Sequence, residues 1–348
     1  MMPTARSQTV IKSLFVVFCL LLTTCAKAPA PQLEFALGTV CTVNLYEGGS
    51  RKLYSRIFSR IQEIDQTMTA HELQNSDVIA INEHSGIKPV KVRADLIEVL
   101  ETALHYAELS GGAFDPTVGP LVRLWGIGTE IQRVPGEAEI ADALELVNWR
   151  DLVIDREAGT AFLRREGMAL DLGAIAKGYA GDEAARIAAA ADVKRAIIDL
   201  GGNIVALGWR QRRRAESLPW RIGIQNPLNE QRGTYIGILL AHDTSIVTSG
   251  VYERFFESDG KRYHHLFSTA NGHPVENGLL SVTVVTKSST AADALSTAVF
   301  ALGYEQGKAL IDSIPDTGAI FIFDDCRVRI TGGIEGIFTL TNDAFTLD

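Results

Sequence analysis

The sequence is poor in the residues that usually announce a chemistry. Its 348 residues include only four cysteines and seven histidines, and none of them is spaced as a zinc or iron ligand set. A metal in this chain is therefore a matter for oxygen ligands. Excess positive charge is missing as well: 33 Lys and Arg face 42 Asp and Glu, a formal charge of −9, which argues against a nucleic-acid groove. There is no low-complexity tract and no internal repeat. The one long apolar run, Ser13–Leu22, is about ten residues, too short for a permanent membrane-spanning helix. What is present is an ordinary globular composition, 46% hydrophobic, with enough chain for a large core.

The apolar run has a use. Arg6 and Lys12 precede it and Leu22-Thr23-Thr24-Cys25 follows, the layout of an export signal. Cleavage after Ala28 or Ala30 would place Pro29 or Pro31 beside the cut, which signal peptidase tolerates poorly. Residues 1–24 therefore read as a lipoprotein signal, with Cys25 as the lipidated first residue, although Thr24 stands where a smaller residue is usual. Residues 25–33 read as a tether and residues 34–348 as the folded domain. That places the protein in a bacterial cell envelope, lipid-anchored and facing the periplasm, with inner and outer membrane both open. Cys41 and Cys326 remain, each in a strand-like run. An exported protein permits a disulfide between them, and the sequence leaves it open.

Helical spacing is clear in Ser55–Met68, Ala94–Leu109 (stopped by Gly111-Gly112), Glu137–Val147, Ala180–Ala190, Thr290–Leu302 and Glu305–Ile311. Strand patterns fall at Thr39–Tyr46, Leu152–Asp155, Ala161–Arg164, Ala196–Asp199, Ile204–Leu207, Trp220–Ile224 and Tyr235–Leu240. Others fall at Ser245–Val247, Ser281–Val285, Ala319–Phe323 and Val328–Thr331. Gln225–Arg232 and Thr248–Arg254 read as connecting segments. Hairpins and helices mix without a βαβ rhythm, so the expected class is α+β, with mixed and antiparallel sheets against packed helices.

The central stretch is Leu170–Tyr179, where Asp171, a small-residue turn and Lys177 meet at a strand-to-helix junction suited to anions. The blander reading is a tight turn. Asp293 and Thr297 stand at i and i+4, so their oxygens share one helix face. A carboxylate and a hydroxyl, completed by a carbonyl and phosphate oxygens, suit hard Mg²⁺; alternatively, Asp293 caps or pairs and Thr297 bonds its own backbone. Ala113, Phe114 and Asp115 would add an apolar wall and an acceptor, or simply an Asp-Pro turn. Of His264 and His265, at most one faces a site if both lie in a strand; that one is a candidate base. His71, at a helix exit, could stack on a ring or be an exposed loop residue.

These stretches together resemble the ApbE family, the FAD:protein FMN transferases. The matching segments are FDPTVGPLVRLWG (Phe114–Gly126), DLGAIAKGYAGD (Asp171–Asp182) and IDLGGNIVALG (Ile198–Gly208), then TSGVYERFF (Thr248–Phe256), KRYHHLF (Lys261–Phe267) and ADALSTAVFALG (Ala292–Gly303). The resemblance implies an ApbE-like, T-fold-like architecture. It also implies a reaction in which FAD is split at its pyrophosphate, FMN is joined to a Thr or Ser hydroxyl of a partner protein, and AMP is released. By the same resemblance Asp293, Thr297 and the Ala174 carbonyl would hold Mg²⁺, with Ser296 beside them as a further metal candidate, in the position of a metal-contacting Asp in some members. Leu37, His71, Ala113, Phe114, Asp115, Asp171, Lys177 and Leu266 would line the FAD site, and His265 would be the base. The implied partners are flavin-accepting subunits or FMN-binding domains of redox complexes. An FAD pyrophosphatase and a flavin-binding lipoprotein without turnover are the alternatives. The chain departs from the family pattern at Ser268-Thr269-Ala270-Asn271-Gly272, where Asp-Pro-x-Thr-Gly is common, at Val251, where Asp is usual, and at His71.

Overall fold

The computed structural model describes residues 30–70, 76–212, 217–229, 231 and 233–348. The signal, Cys25 and His71 lie outside the described residues. A nine-stranded sheet organises the rest: β1 (Gln32–Ala36), β2 (Thr39–Leu45), β3 (Ala196–Leu200), β4 (Asn203–Leu207), β5 (Thr244–Gly250), β6 (Leu279–Thr286), β7 (Gly318–Phe323), β8 (Arg327–Ile330) and β9 (Thr346–Leu347). Their order across the sheet is their order along the chain. Every neighbouring pair is antiparallel except β8 with β9. Among the described residues there are seven α-helices: α1 (Arg51–Met68), α2 (Asp77–Glu83), α3 (Ala94–Leu109), α4 (Gly119–Trp125), α5 (Glu137–Glu145), α6 (Ala176–Ala190) and α7 (Ser289–Asp312). The architecture is α+β, as the sequence pattern implied.

Both faces of the sheet are covered, which explains why β7 is apolar and buried along its whole length. Along β7 the side chains alternate: Ala319, Phe321 and Phe323 join the core beneath the helices, while Ile320 and Ile322 join a second core on the other face. That second core is closed by a three-stranded sheet of Trp220–Gln225, Tyr235–Ala241 and Phe338–Leu340. On the helical side α1 contributes Leu53, Ile57, Ile61 and Ile64 at helical spacing. A third, smaller core of Leu121, Trp125, Ile140, Phe256 and Phe267 gathers α4 and α5 around the loop after His265.

The structure revises several local expectations. A strand begins at Gln32, inside the expected tether, because Gln32–Ala36 pairs along β2. Thr248–Gly250, read as connection, completes β5 and pairs with β6. Helical Thr290–Leu302 and Glu305–Ile311 run end to end in α7, joined at Gly303, whose φ of 76° breaks the helical geometry. Cys41 and Cys326 are both free thiols. β2 and β7 lie five positions apart, roughly 24 Å at the usual strand spacing, beyond the reach of a disulfide.

Candidate active site

Two helices meet without room for a side chain at the centre of the site. A Cβ on Gly178 of α6 would stand 2.3 Å from the Ser289 carbonyl oxygen and 2.8 Å from the Asp293 Cβ of α7. Glycine is the residue that permits this approach. Asp182, one turn along α6, fixes the register. Its carboxylate accepts hydrogen bonds from the N–H groups of Ser289 and Thr290 and from the hydroxyls of Ser288 and Thr290, all at 2.7–2.9 Å. It satisfies the exposed donors at the start of α7, as an acidic cap does.

That contact brings together Lys177 and Asp293, 116 positions apart in the sequence. Lys177 Nζ donates to the Gly173 carbonyl at 2.9 Å and lies 3.6 Å from Asp293 Oδ1. The Gly178 N–H, which a continued helix would give to the Ala174 carbonyl, goes to Asp293 Oδ2 at 2.8 Å. The Ala174 carbonyl is thereby left outside the α6 ladder. Asp293 is 3% exposed, yet among the described residues one of its oxygens has only the loosely placed ammonium for company. Thr297 follows one turn later and is half-buried. A carboxylate, a hydroxyl and a carbonyl are hard oxygen donors, the donor chemistry that Mg²⁺ takes while keeping most of its shell for substrate and water. No cluster of three His, Cys, Asp or Glu side chains is found among the described residues.

The two histidines divide as strand geometry requires, though His265 lies just past the strand Lys261–His264. His264 is buried: Nε2 lies 3.0 Å from the Val275 carbonyl, and Nδ1 accepts the Leu266 N–H at 3.3 Å. Those partners assign the proton to Nε2 and leave no free lone pair. His265 Nδ1 lies 3.2 Å from the Arg254 carbonyl, so Nδ1 carries the proton and the Nε2 lone pair is free. Desolvation pushes the His265 imidazole down to about 3, and the positive charges of Arg254 and Lys177 push the same way. The free-site ring is therefore neutral near pH 7, and an arriving phosphate would offset the opposing charges.

The remaining expected residues are placed around this pair. Leu37 takes a left-handed φ of 54° in the β1–β2 turn, and its N–H is held by Asp65 Oδ2 at 2.9 Å. Asp171 is half-buried, and its Oδ1 accepts the Gly173 N–H at 2.8 Å. Ala113 is half-buried, whereas Phe114 and Leu266 belong to the main core. Asp115 spends one oxygen on its own turn and the other on the segment that follows α5. Oδ1 accepts from the Thr117 N–H and hydroxyl, and Oδ2 accepts from the Trp149 N–H at 2.9 Å. Burial pushes this carboxyl up, against the pull of those donors. Ser296 is fully buried and donates to the Asp293 carbonyl at 3.0 Å.

The divergent turn is well tied despite its altered residues. Ser268 Oγ accepts the Ala270 N–H at 3.3 Å, and Asn271 Oδ1 accepts the His273 N–H at 3.0 Å, bonds that an Asp can also make. Thr269 reaches the Gly112 carbonyl at 2.7 Å and Trp125 Nε1 reaches the Gly272 carbonyl at 3.0 Å. Val251 sends its N–H to the Leu280 carbonyl.

Comparison with known proteins decides the family. The ApbE family profile matches residues 37–321. The chain belongs to the ApbE family. A FAD:protein FMN transferase of Treponema pallidum is 37% identical over 328 residues, 90% of each chain. One from Klebsiella pneumoniae is 36% identical over 286 residues, covering 82% of this chain and 86% of the relative. The crystal structure of the ApbE protein of Thermotoga maritima superposes with a TM-score of 0.79 at 30% identity, covering 88% of this chain and 98% of the other. The flavin transferase ApbE from Vibrio cholerae gives 0.77 at 28% identity over the same shares. With relatives named as transferases over most of the chain, the reading as an enzyme stands over a binder without turnover.

In this ApbE-family chain the hollows are unevenly placed. An open depression of about 600 Å³ lined by Pro120, Arg123, Ile131 and Leu146 includes none of the expected site residues. A smaller one of about 170 Å³ opens beside Asp171, with Asn82 and Ala70 in its wall. Asn82 is a positioning residue that sequence reading missed: its amide exchanges hydrogen bonds with the Leu170 backbone at 2.7 and 3.1 Å, just before Asp171. Arg254 was also missed, although it sits in a quoted motif. Its exposed guanidinium lies against the Leu37–Gly38 turn, beside His265, and makes no ion pair among the described residues. No sequence signal marks it, because neither its unpaired state nor its place beside His265 can be read before the fold is known.

Proposed function

We propose that this chain is a Mg²⁺-dependent FAD:protein FMN transferase. The acceptor is a Thr or Ser hydroxyl on a partner protein, such as a flavin-accepting subunit or FMN-binding domain of a redox complex. The acceptor oxygen bonds to the FMN phosphorus, the P–O bond to the AMP half of FAD breaks, and AMP leaves. One observation carries the reading: Lys177 and the buried Asp293 are locked side by side by the Gly178–Ser289 contact. A seat of that kind suits a diphosphate, and the names of the relatives agree with it.

Asp293, Thr297 and the Ala174 carbonyl would hold Mg²⁺, which when bound offsets charge on the diphosphate. Lys177 pairs with a phosphate oxygen once the anion displaces its contact with Gly173. Arg254, which has no carboxylate partner among the described residues, binds and orients a second phosphate oxygen. His265 takes the acceptor hydroxyl proton at Nε2, while the Arg254 carbonyl fixes its ring through Nδ1. Asp171 and Leu37 border the nucleotide. The chain would be lipid-anchored at Cys25 and would act in the periplasm, where its sequence-level signal points.

The test is an assay with FAD, Mg²⁺ and a candidate acceptor domain, following AMP, free FMN and the intact mass of the acceptor together. One FMN on the acceptor per AMP released is the expected result. AMP matched by free FMN, across several acceptor domains, would instead assign hydrolysis with water as acceptor.

A further inference from the structure

Three hydroxyls lie in a row beside Asp293, and their contacts leave one way to arrange the protons. Ser296 Oγ is 3.0 Å from the Asp293 carbonyl oxygen, Ser249 Oγ is 2.8 Å from Ser296 Oγ, and Thr297 Oγ1 is 3.2 Å from Ser249 Oγ. A carbonyl oxygen has no proton, so Ser296 must donate to it. Ser296 then has only lone pairs for Ser249, so Ser249 donates to Ser296. Ser249 has one proton and has used it, so the contact with Thr297 is a hydrogen bond only if Thr297 donates. Any other assignment loses at least one of the three bonds. Ser249 is 9% exposed and Ser296 is fully buried, so water is a poor substitute for either.

We infer that Ser249 is a positioning residue: it takes the Thr297 proton and turns the Thr297 lone pairs toward the cation seat. A hydroxyl serves a cation through its oxygen, and a proton pointing the wrong way would oppose the ion. Ser249 stands two residues after Val247 on the helical face of β5, which delivers it beneath α7. Ser296 is the relay's second member, with its proton committed to the helix. Hydrogen bonds of this kind tune metal affinity from outside the ligand set.

The inference rests on the magnesium reading above, so the experiment separates the two. Mn²⁺ binding to the full chain is titrated without FAD for the native protein and for Asp293→Ala, Ser249→Ala, Thr297→Val and Ser249→Ala/Thr297→Val. Metal-free thermal unfolding of each is recorded alongside. Native binding that is lost in Asp293→Ala supports the cation seat. Ser249→Ala is expected to weaken Mn²⁺ binding by about tenfold, and to change nothing further once Thr297 is Val. Ser296→Ala, which leaves Ser249 in place, is expected to give a smaller loss with the same dependence on Thr297. An unchanged affinity in Ser249→Ala, or an equal loss in both backgrounds, would overturn the inference while leaving the seat intact. Absence of Asp293-dependent binding in the native chain would overturn both.

Discussion

The Lys177–Asp293 side of the site and the His265 side are held by different kinds of contact. On the first, two helices touch through Gly178 and Ser289, and Asp182 clamps the start of α7 with four hydrogen bonds. Its geometry follows from backbone packing, where nothing can shift without separating helices. On the second, loops are sewn together by side chains: Thr269 to Gly112, Trp125 to Gly272, His265 to Arg254. Of the chain's departures from the family pattern, Ser268–Gly272 falls on that second side, whereas Val251 directly follows β5 and bonds through its backbone to Leu280 of β6, and His71 lies outside the described residues. A helix-packed seat tolerates little variation, whereas a sewn loop can exchange one acceptor atom for another and keep its path. Under the proposed function, diphosphate handling would fall to the rigid side and acceptor choice to the sewn side.

The largest effect is expected on the rigid side. Asp293→Ala should lower AMP release by about a thousandfold, the scale for losing a positioned electrostatic group. Retained fold by circular dichroism and retained FAD binding by fluorescence would confine that loss to the chemistry. Gly178→Ala is the structural counterpart. The added methyl has no space, so the helices part at a cost of about 1–3 kcal/mol, read as a lower thermal midpoint together with weaker Lys177–Asp293 coupling. A midpoint equal to that of the native chain would show that the contact is looser than described.

The sewn side should answer to pH. His265 has its pKa lowered to about 3 by burial and by neighbouring positive charge, so the unfolded chain binds the extra proton first. Its contribution to stability is thus fully present above the unfolded value of about 6.5. It is lost as pH falls toward 3. His265→Gln should flatten that part of the stability curve. In an NMR titration the free ring should stay neutral through pH 5, and ADP should raise its pKa. The smallest effect is expected from Ser268→Asp. Because the Ser268 hydroxyl already holds the turn, stability should stay within about 0.5 kcal/mol, while the rate with a given acceptor changes several-fold. An unchanged rate and acceptor range would remove this turn from acceptor choice.

Legibility in the sequence divides along the same line. Asp293 and Thr297 could be paired from helical spacing alone, and Lys177 from its place at a helix start. The β6 and β7 core strands stood out because both their faces are buried, whereas only the first half of the more polar β5 could be read. The partners that hold these groups could not be read. Asp182 caps a helix that begins more than a hundred residues later, and Asn82 serves Leu170 across 88 positions. Periodicity carries no information about such contacts. Asp115 illustrates the converse: its motif pointed to a ligand acceptor, while its carboxylate is spent on Thr117 and Trp149. β1 was hidden because one short strand beside a Pro-rich tether has too few residues to show a period.

The central claim is that a cation seated at Asp293 couples FAD cleavage to acceptor modification. The most direct measurement strips divalent metal with a chelator, restores Mg²⁺, and follows AMP and the intact mass of the acceptor in one reaction. AMP release and the FMN adduct should vanish together and return together in equal amounts. AMP released at an undiminished rate without metal, or an adduct formed without AMP, would contradict the account.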